Sequence, residues 1–222
     1  MRFVIITGGP LPEEASDVIR SLAGEADTKV IACDSGCDHL AKIGIVPDVV
    51  IGDMDSITKS GLDFIKANNI PVEKYPVEKD WTDTEIALKK TGCDDEVILV
   101  CPLSGRIDHV IANLGLAVQY RSEGRDITVT DGITTCRPLT GEDRAELSVI
   151  SFNGAAAVSL IPFSFDMPVT GVTTEGLYYP LTDAVLNAGS SFSFSNHPVE
   201  GAEKIAVSIR SGKLLLTVTK SV

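Results

Sequence analysis

KVIACDSGCDHLAKIGIVPDVVIGD, residues 29–53, sets two unbroken apolar runs, KVIACD (29–34) and DVVIGD (48–53), on either side of a helix-like segment at 36–43. Neither run alternates apolar with polar residues, as a half-exposed strand would. Both suit strands covered by helices on two faces, the usual condition of a parallel sheet. The pattern continues outward. RFVIIT (2–7), EVILVC (96–101) and DITVT (126–130) are further strands, with a shorter one at PVEKY (71–75), and helices are expected over 13–23, 59–68, 83–91 and 107–122. In the last helix Ile107, Val110, Ile111, Leu114 and Val118 recur at helical spacing and predict one apolar stripe. Thr82 and Glu85 have the spacing of a capping box and start a helix at TDTE. Alternating strands and helices indicate a three-layer α/β domain with a mostly parallel sheet.

Beyond about residue 132 the pattern changes. LSVISF (147–152), AAVSLI (156–161), PVTGVTT (168–174), SFSFS (191–195), KIAVSI (204–209) and KLLLTVTK (213–220) are short, with Gly, Pro or Asn between them. Helical periodicity is nearly absent, which suits an antiparallel β-sandwich or flattened barrel. The boundary is expected between 132 and 145, giving domains of about 1–135 and 136–222.

Composition limits the classes of function. The chain has 222 residues, 44% apolar and 23% charged, as in a folded globular protein. Aromatic residues are only 5%, too few for a stacking surface for single-stranded nucleic acid. A net charge of −12, with no Lys/Arg run, repels nucleic acid and anionic membrane. The opening MRFVIITGGPLPEE reaches Gly and Pro before a signal-peptide core forms, and no stretch approaches the roughly 18 apolar residues of a membrane helix. A soluble, cytoplasmic protein is expected. Cys33, Cys37, Cys93, Cys101 and Cys136 form no CxxC pair and are read as buried free thiols.

In open parallel sheets ligands bind beyond the carboxyl ends of the strands. Those ends carry Gly8 and Gly9, then Asp34, Ser35 and Gly36, then Asp53 and Asp55, then Ser104, Gly105 and Arg106. Two carboxylates at i and i+2 of a turning segment face one point and repel unless a cation lies between them. Magnesium, which takes one or two carboxylates plus waters and phosphate oxygens, is the natural partner of Asp53 and Asp55; the alternative is that they cap a turn. Asp80 and Asp83 in KDWTDTE either complete an acidic cluster or simply favour the helix dipole. SGRIDH (104–109) opens a helix, where backbone donors and the Arg106 fork suit a phosphate held with help from Asp108; a surface ion pair is the alternative. His39 and His109 are read as structural. Neither GxxxxGK[ST] nor GxGxxG is present, so phosphates would be handled through magnesium, glycine backbone and Arg106, as suits phosphoryl transfer.

Taken together, ITGGP (6–10), ACDSGCDHL (32–40), GIVPDVVIGDMDSI (44–57), EKDWTDTEIAL (78–88), SGRIDHVIANL (104–114), GLYYPL (176–181) and SFSN (193–196) resemble the thiamine pyrophosphokinases, in order and over nearly the whole chain. The resemblance implies an α/β catalytic domain, a C-terminal β domain and a homodimer with active sites between subunits. It implies transfer of a pyrophosphoryl group from ATP to the hydroxyl of thiamine, giving thiamine diphosphate and AMP. Carried over by motif, Asp53, Asp55 and Asp83 would surround Mg2+ and the polyphosphate, with Asp80 beside them. Arg106 and Asp108 would belong to the nucleotide site, with Gly9 and the Asp34, Ser35, Gly36 turn near it. Ser195 and Asn196 would bind thiamine. Tyr179 stands where some relatives have Trp, and would stack on the cationic vitamin less strongly. Ser104 stands where relatives often have Gly. Asp83 and Asp55 are candidates for taking the hydroxyl proton. Transfer to another hydroxymethyl heterocycle such as a pterin, and a non-catalytic sensor of thiamine or nucleotide, are the rival readings.

Overall fold

The first apolar runs become parallel strands in a computed structural model that describes residues 1–149 and 156–220. The chain divides into two units, residues 1–116 with 125–132, and residues 117–124 with 133–222. In the first unit the order is β1 (Arg2–Ile6), α1 (Glu14–Ala23), β2 (Thr28–Cys33), α2 (Gly36–Ile43), β3 (Val49–Gly52), α3 (Lys59–Ala67), β4 (Val72–Lys74), α4 (Asp83–Leu88), β5 (Glu96–Val100), α5 (Ile107–Ser122) and β6 (Asp126–Thr130), the last turns of α5 belonging to the second unit. The strands run parallel in the order β4-β3-β2-β1-β5-β6.

Alternation along these strands explains their continuous apolarity. Val4, Ile6, Val30, Ala32, Val50, Ile98 and Val100 share one core with Ala15 and Ile19 of α1, Cys37 and Leu40 of α2 and Ile65 of α3. The intervening Ile5, Ile31, Ile51 and Leu99 are equally buried, and α4 packs on β1, β2 and β3. Both faces are covered, so neither has polar positions.

α5 has the expected bounds and part of the expected face: Val110 and Val118 are buried and Leu114 is half-buried. Ile107 and Ile111 are 67% and 57% exposed, while Val110, Asn113, Ala117 and Tyr120 are buried. The buried positions also include an asparagine and an alanine, which a reading of large apolar side chains alone passes over.

The second unit contains β7 (Thr134–Thr140), β8 (Asp143–Ser148), β9 (Ala156–Pro162), β10 (Val169–Glu175), β11 (Ala184–Leu186), β12 (Lys204–Ile209) and β13 (Lys213–Lys220). β13 pairs antiparallel with β7 and β9, and the order β11-β10-β12-β8 forms a second antiparallel layer. Leu139, Val158, Leu160, Leu214, Leu216 and Val218 from the first group pack with Val169, Val172, Ile205, Val207 and Ile209 from the second, which makes a sandwich. Arg121, at the end of α5, forks onto Asp143 at 2.8 and 2.6 Å.

Two strand expectations differ from what is observed, and two strands, β7 and β11, were not anticipated. LSVISF begins inside β8, which starts earlier at Asp143, and residues 150–152 lie outside the described residues. SFSFS is a turn: Ser193 Oγ donates to Leu160 O at 2.6 Å, Ser195 has a left-handed φ of +56°, and Phe192 is 70% exposed. Its alternation is the reverse of an apolar-inward strand: Ser193 is buried and reaches across to β9, while Phe192 and Phe194 are exposed. β7 escaped because Pro138 sits within it, opposite Leu215. Cys33, Cys37, Cys101 and Cys136 are buried as expected, but Cys93 is exposed. Burial pushes the Cys101 thiol up to about 12 and Cys37 to about 11. Among the described residues no helix is long and apolar enough to cross a membrane.

Candidate active site

From β1 the order steps outward through β2, β3 and β4, then resumes on the other edge of β1 with β5 and β6. Loops leaving β1 and β5 diverge at that reversal and open a crevice at the carboxyl ends. A cleft of about 620 Å³ lies there, lined by Gly9, Asp34, Ser35, Asp83, Arg106 and Asn113 among others.

Two glycines allow the backbones to come this close. At the end of β3, Gly52 has φ +148°, and a Cβ on it would stand 1.9 Å from Asp34 Oδ1. At the start of α2 a Cβ on Gly36 would stand 2.2 Å from Ile6 O. Without these side chains the Asp34 carboxylate tucks beneath the β3 turn. Asp34 itself is left-handed, φ +44°; its amide donates to Ile51 O at 2.9 Å and its Oδ1 accepts from Met54 N at 3.1 Å. Ser56 Oγ donates to Ser35 Oγ at 3.3 Å, tying the two turns together.

The Asp53–Asp55 turn is closed by Asp55 N donating to Asp53 Oδ1 at 3.0 Å, with Met54 at φ +71° between them. That amide, and then Lys79 and Lys74, hold the Asp53 carboxyl below its ordinary range, while its nearness raises Asp55. Thr82 caps α4, its Oγ1 accepting from Glu85 N at 3.2 Å, so Asp83 falls in the first turn of that helix. Asp83 Oδ1 is buried and accepts no hydrogen bond; Lys79 Nζ lies 3.1 Å from it at ion-pair distance, and also 3.8 Å from Asp53 Oδ2. Asp80 is exposed and does not line the cleft.

Burial, then the adjacent Asp83 carboxyl, pushes Asp34 up to about 7, against the opposing bond from Met54 N. The sign of the consequence follows from proton counting. Between pH of about 4 and 7 the folded chain keeps a proton that the unfolded chain has released, so this group's contribution to stability falls as pH rises through that window and is level above it. The urea midpoint in chelator-containing buffer is therefore expected to fall more from pH 4 to 7 in the parent than in Asp34→Asn. Equal slopes in the two proteins would assign the effect elsewhere.

Arg106 follows Gly105, whose φ of +83° makes the turn into α5. Its guanidinium forks onto Asp108, Nε to Oδ1 at 3.3 Å and a terminal nitrogen to Oδ2 at 2.5 Å. Both side chains are more than half exposed, so the pair orients the fork rather than stabilising the fold. His39 Nε2 lies 2.7 Å from Gly9 O, the structural role expected of it.

Among the described residues no group of three or more His, Cys, Asp or Glu side chains encloses a point suited to a metal ion. Asp53 and Asp83 nonetheless fit magnesium. The orphaned Asp83 oxygen has a cation as its neighbour, and magnesium needs few protein ligands when phosphate oxygens supply the rest.

In the second unit Asn196 clamps the GLYYPL segment. Its Oδ1 accepts from Tyr179 N at 3.0 Å and from His197 N at 2.9 Å, and its Nδ2 donates to Tyr179 O at 2.7 Å. Ser195 N donates to Ser159 Oγ at 3.0 Å. Tyr178 stacks on His197 with centroids 4.8 Å apart, and Tyr179 meets Tyr178 edge-on at 4.9 Å. The result is an exposed aromatic platform held from behind by Asn196. Sequence reasoning named Tyr179 and Asn196 here but missed Tyr178 and His197, and in the first unit it missed Lys79. The doubled Tyr of GLYYPL and the lysine four residues before Asp83 were the available signals.

A family model described as thiamin pyrophosphokinase, catalytic domain, matches residues 21–129, and one described as thiamin pyrophosphokinase, vitamin B1 binding domain, matches residues 148–214. The thiamine pyrophosphokinase of Bacillus subtilis strain 168 is 29% identical over 217 residues, covering 93% of this chain and 97% of that protein. Thiamine pyrophosphokinase 1 of Arabidopsis thaliana is 29% identical over 169 residues, covering 72% of this chain and 61% of that one. The crystal structure of thiamin pyrophosphokinase from Geobacillus thermodenitrificans superposes with a TM-score of 0.82 at 26% identity, covering 100% of this chain and 98% of that one.

Proposed function

The chain belongs to the thiamine pyrophosphokinase family, and we infer that it transfers the pyrophosphoryl group of ATP to thiamine, giving thiamine diphosphate and AMP. The observation that carries this reading is the ordered pair of matches, catalytic and then vitamin B1 binding, on a chain whose α/β cleft gathers Asp34, Asp83 and Arg106.

In the proposed reaction the hydroxyl oxygen of thiamine attacks the β-phosphorus of ATP in line. A new O–P bond forms, the hydroxyl O–H bond breaks with its proton passing to Asp83 or Asp55, the bond from the β-phosphorus to the α,β-bridging oxygen breaks, and AMP leaves with that bonding pair. Arg106, oriented by Asp108, stabilises charge on the phosphates, and Gly9 and the Asp34, Ser35, Gly36 turn shape the nucleotide's bed. Asp53, Asp55 and Asp83 would hold Mg2+, which supplies charge neutralisation on the transferred group. Tyr179, with Ser195 and Asn196 behind it, would present an aromatic face to the cationic vitamin. In this reading residues 1–135 carry ATP and metal and 136–222 carry thiamine, in a cytoplasmic enzyme. Incubation with thiamine, ATP and Mg2+ is expected to yield AMP in step with thiamine diphosphate. ADP as the stoichiometric product, or turnover of a hydroxymethyl pterin in place of thiamine, would overturn the reading.

Family membership also supports a homodimer whose sites are shared between subunits. Two individually inactive chains, Asp53→Asn and Tyr179→Ala, then complement each other. A randomly reassorted equal mixture is expected to recover about a quarter of parental sites, because half the dimers are mixed and each has one intact composite site. Absence of recovery despite subunit exchange would place each site within one chain.

A further inference from the structure

Lys79 is not an ordinary surface lysine. Its side chain is 13% exposed, and the Asp53 and Asp83 side chains it faces are 11% and 17% exposed. Its ammonium nitrogen lies 3.1 Å from Asp83 Oδ1 and 3.8 Å from Asp53 Oδ2, and it donates to Pro76 O at 3.2 Å. The ammonium is thus fixed from one side by its own loop and from the other by two carboxylates, one just after β3 and one in the first turn of α4. Asp83 Oδ1, which receives no hydrogen bond, has this cation as its partner.

We propose that Lys79 selects the form in which the divalent metal enters the site, disfavouring the bare ion and favouring the metal–nucleotide complex. The inference rests on the reading of Asp53 and Asp83 as metal-facing carboxylates. A bare divalent ion approaching them meets a like charge already in place, whereas a metal chelated to a nucleoside triphosphate carries net negative charge and is drawn to the same ammonium. A lysine is suited to this double role because its compact charge turns readily from carboxylate to phosphate oxygens. One like charge a few ångströms from a divalent ion weakens its binding by about tenfold or more even in watery surroundings.

The test is calorimetric titration of the full chain with Mn2+ alone and with Mn2+ complexed to α,β-methylene-ATP, whose bridge cannot be cut. Lys79→Met is expected to bind Mn2+ alone about tenfold tighter and the Mn2+–nucleotide complex about tenfold weaker, while Lys79→Arg stays near the parent for both. A merely structural lysine gives no such crossed result, since a loosened loop weakens both ligands together. Parallel losses, or an Mn2+ affinity unchanged in Lys79→Met, would overturn the proposal. Adding Asp53→Asn to Lys79→Met separates the two layers of argument. Loss of Mn2+ binding upholds the metal reading whatever Lys79 does, and full retention places the error in that reading.

Discussion

Asp53→Asn is expected to lower kcat by about 10²–10³-fold while leaving thiamine binding within about twofold. The substitution is a clean one. Asn keeps an Oδ1 that accepts from Asp55 N, the 3.0 Å bond that closes the turn, so the backbone of the β3 end has no reason to move. What disappears is one negative charge from a set that includes Asp55 and Asp83. If that charge holds a metal on the phosphates of ATP, its loss is felt where charge is redistributed in the transition state, and only weakly in binding of the cationic vitamin. Steady-state kinetics across a Mg2+ series, with thiamine binding followed by quenching of intrinsic fluorescence, separates the two quantities. A loss below tenfold, or an equal loss in thiamine affinity, would remove Asp53 from the metal site.

Gly52→Ala has the second large effect, and it is expected first in stability. Two independent costs meet at this position. The φ of +148° is a region L-residues rarely adopt, and the new Cβ would fall 1.9 Å from Asp34 Oδ1. Backbone strain and overpacking together are expected to destabilise the fold by about 2–5 kcal/mol, read as a lower urea midpoint with unchanged slope. Asp34→Ala in the same chain removes the steric part but not the backbone part, so the double variant should recover some stability relative to Gly52→Ala alone. No recovery would mean that the backbone alone sets the requirement for glycine.

The parallel strands were legible because burial on both faces leaves continuous apolar runs, and strands 29–34 and 48–53 differ from β2 and β3 only at their ends. The stripe on α5 was half legible: Val110 and Val118 are buried but Ile107 and Ile111 are not, and Asn113 and Ala117 take buried positions that size and apolarity do not signal. In SFSFS it is Ser193 that is buried, its hydroxyl bonded to Leu160 O of β9, while Phe192 and Phe194 are exposed, and β7 was hidden by Pro138. At the candidate site, residues that follow strand ends were legible because topology gathers strand ends at one edge of the sheet. Asp34 and Arg106 line one cleft with Asp83 from the start of α4, while Asp53 and Asp55 lie outside its lining. Lys79 escaped because attention to acidic residues asks where an added cation would go, and passes over one the chain already supplies. Tyr178 and His197 escaped because a stack between residues so far apart in sequence has no periodic trace.

The distribution of thiols has a use unconnected with catalysis. Cys33, Cys37, Cys101 and Cys136 are shut inside the two cores, with burial raising the first three far from the reactive thiolate, while Cys93 stands open in the turn between α4 and β5. The native chain therefore presents a single address for a maleimide label, far along the sequence from every proposed ligand of thiamine. Because the remaining sulfurs become available only when the cores open, the same chemistry doubles as a clock for unfolding, with each unit marked by its own cysteines.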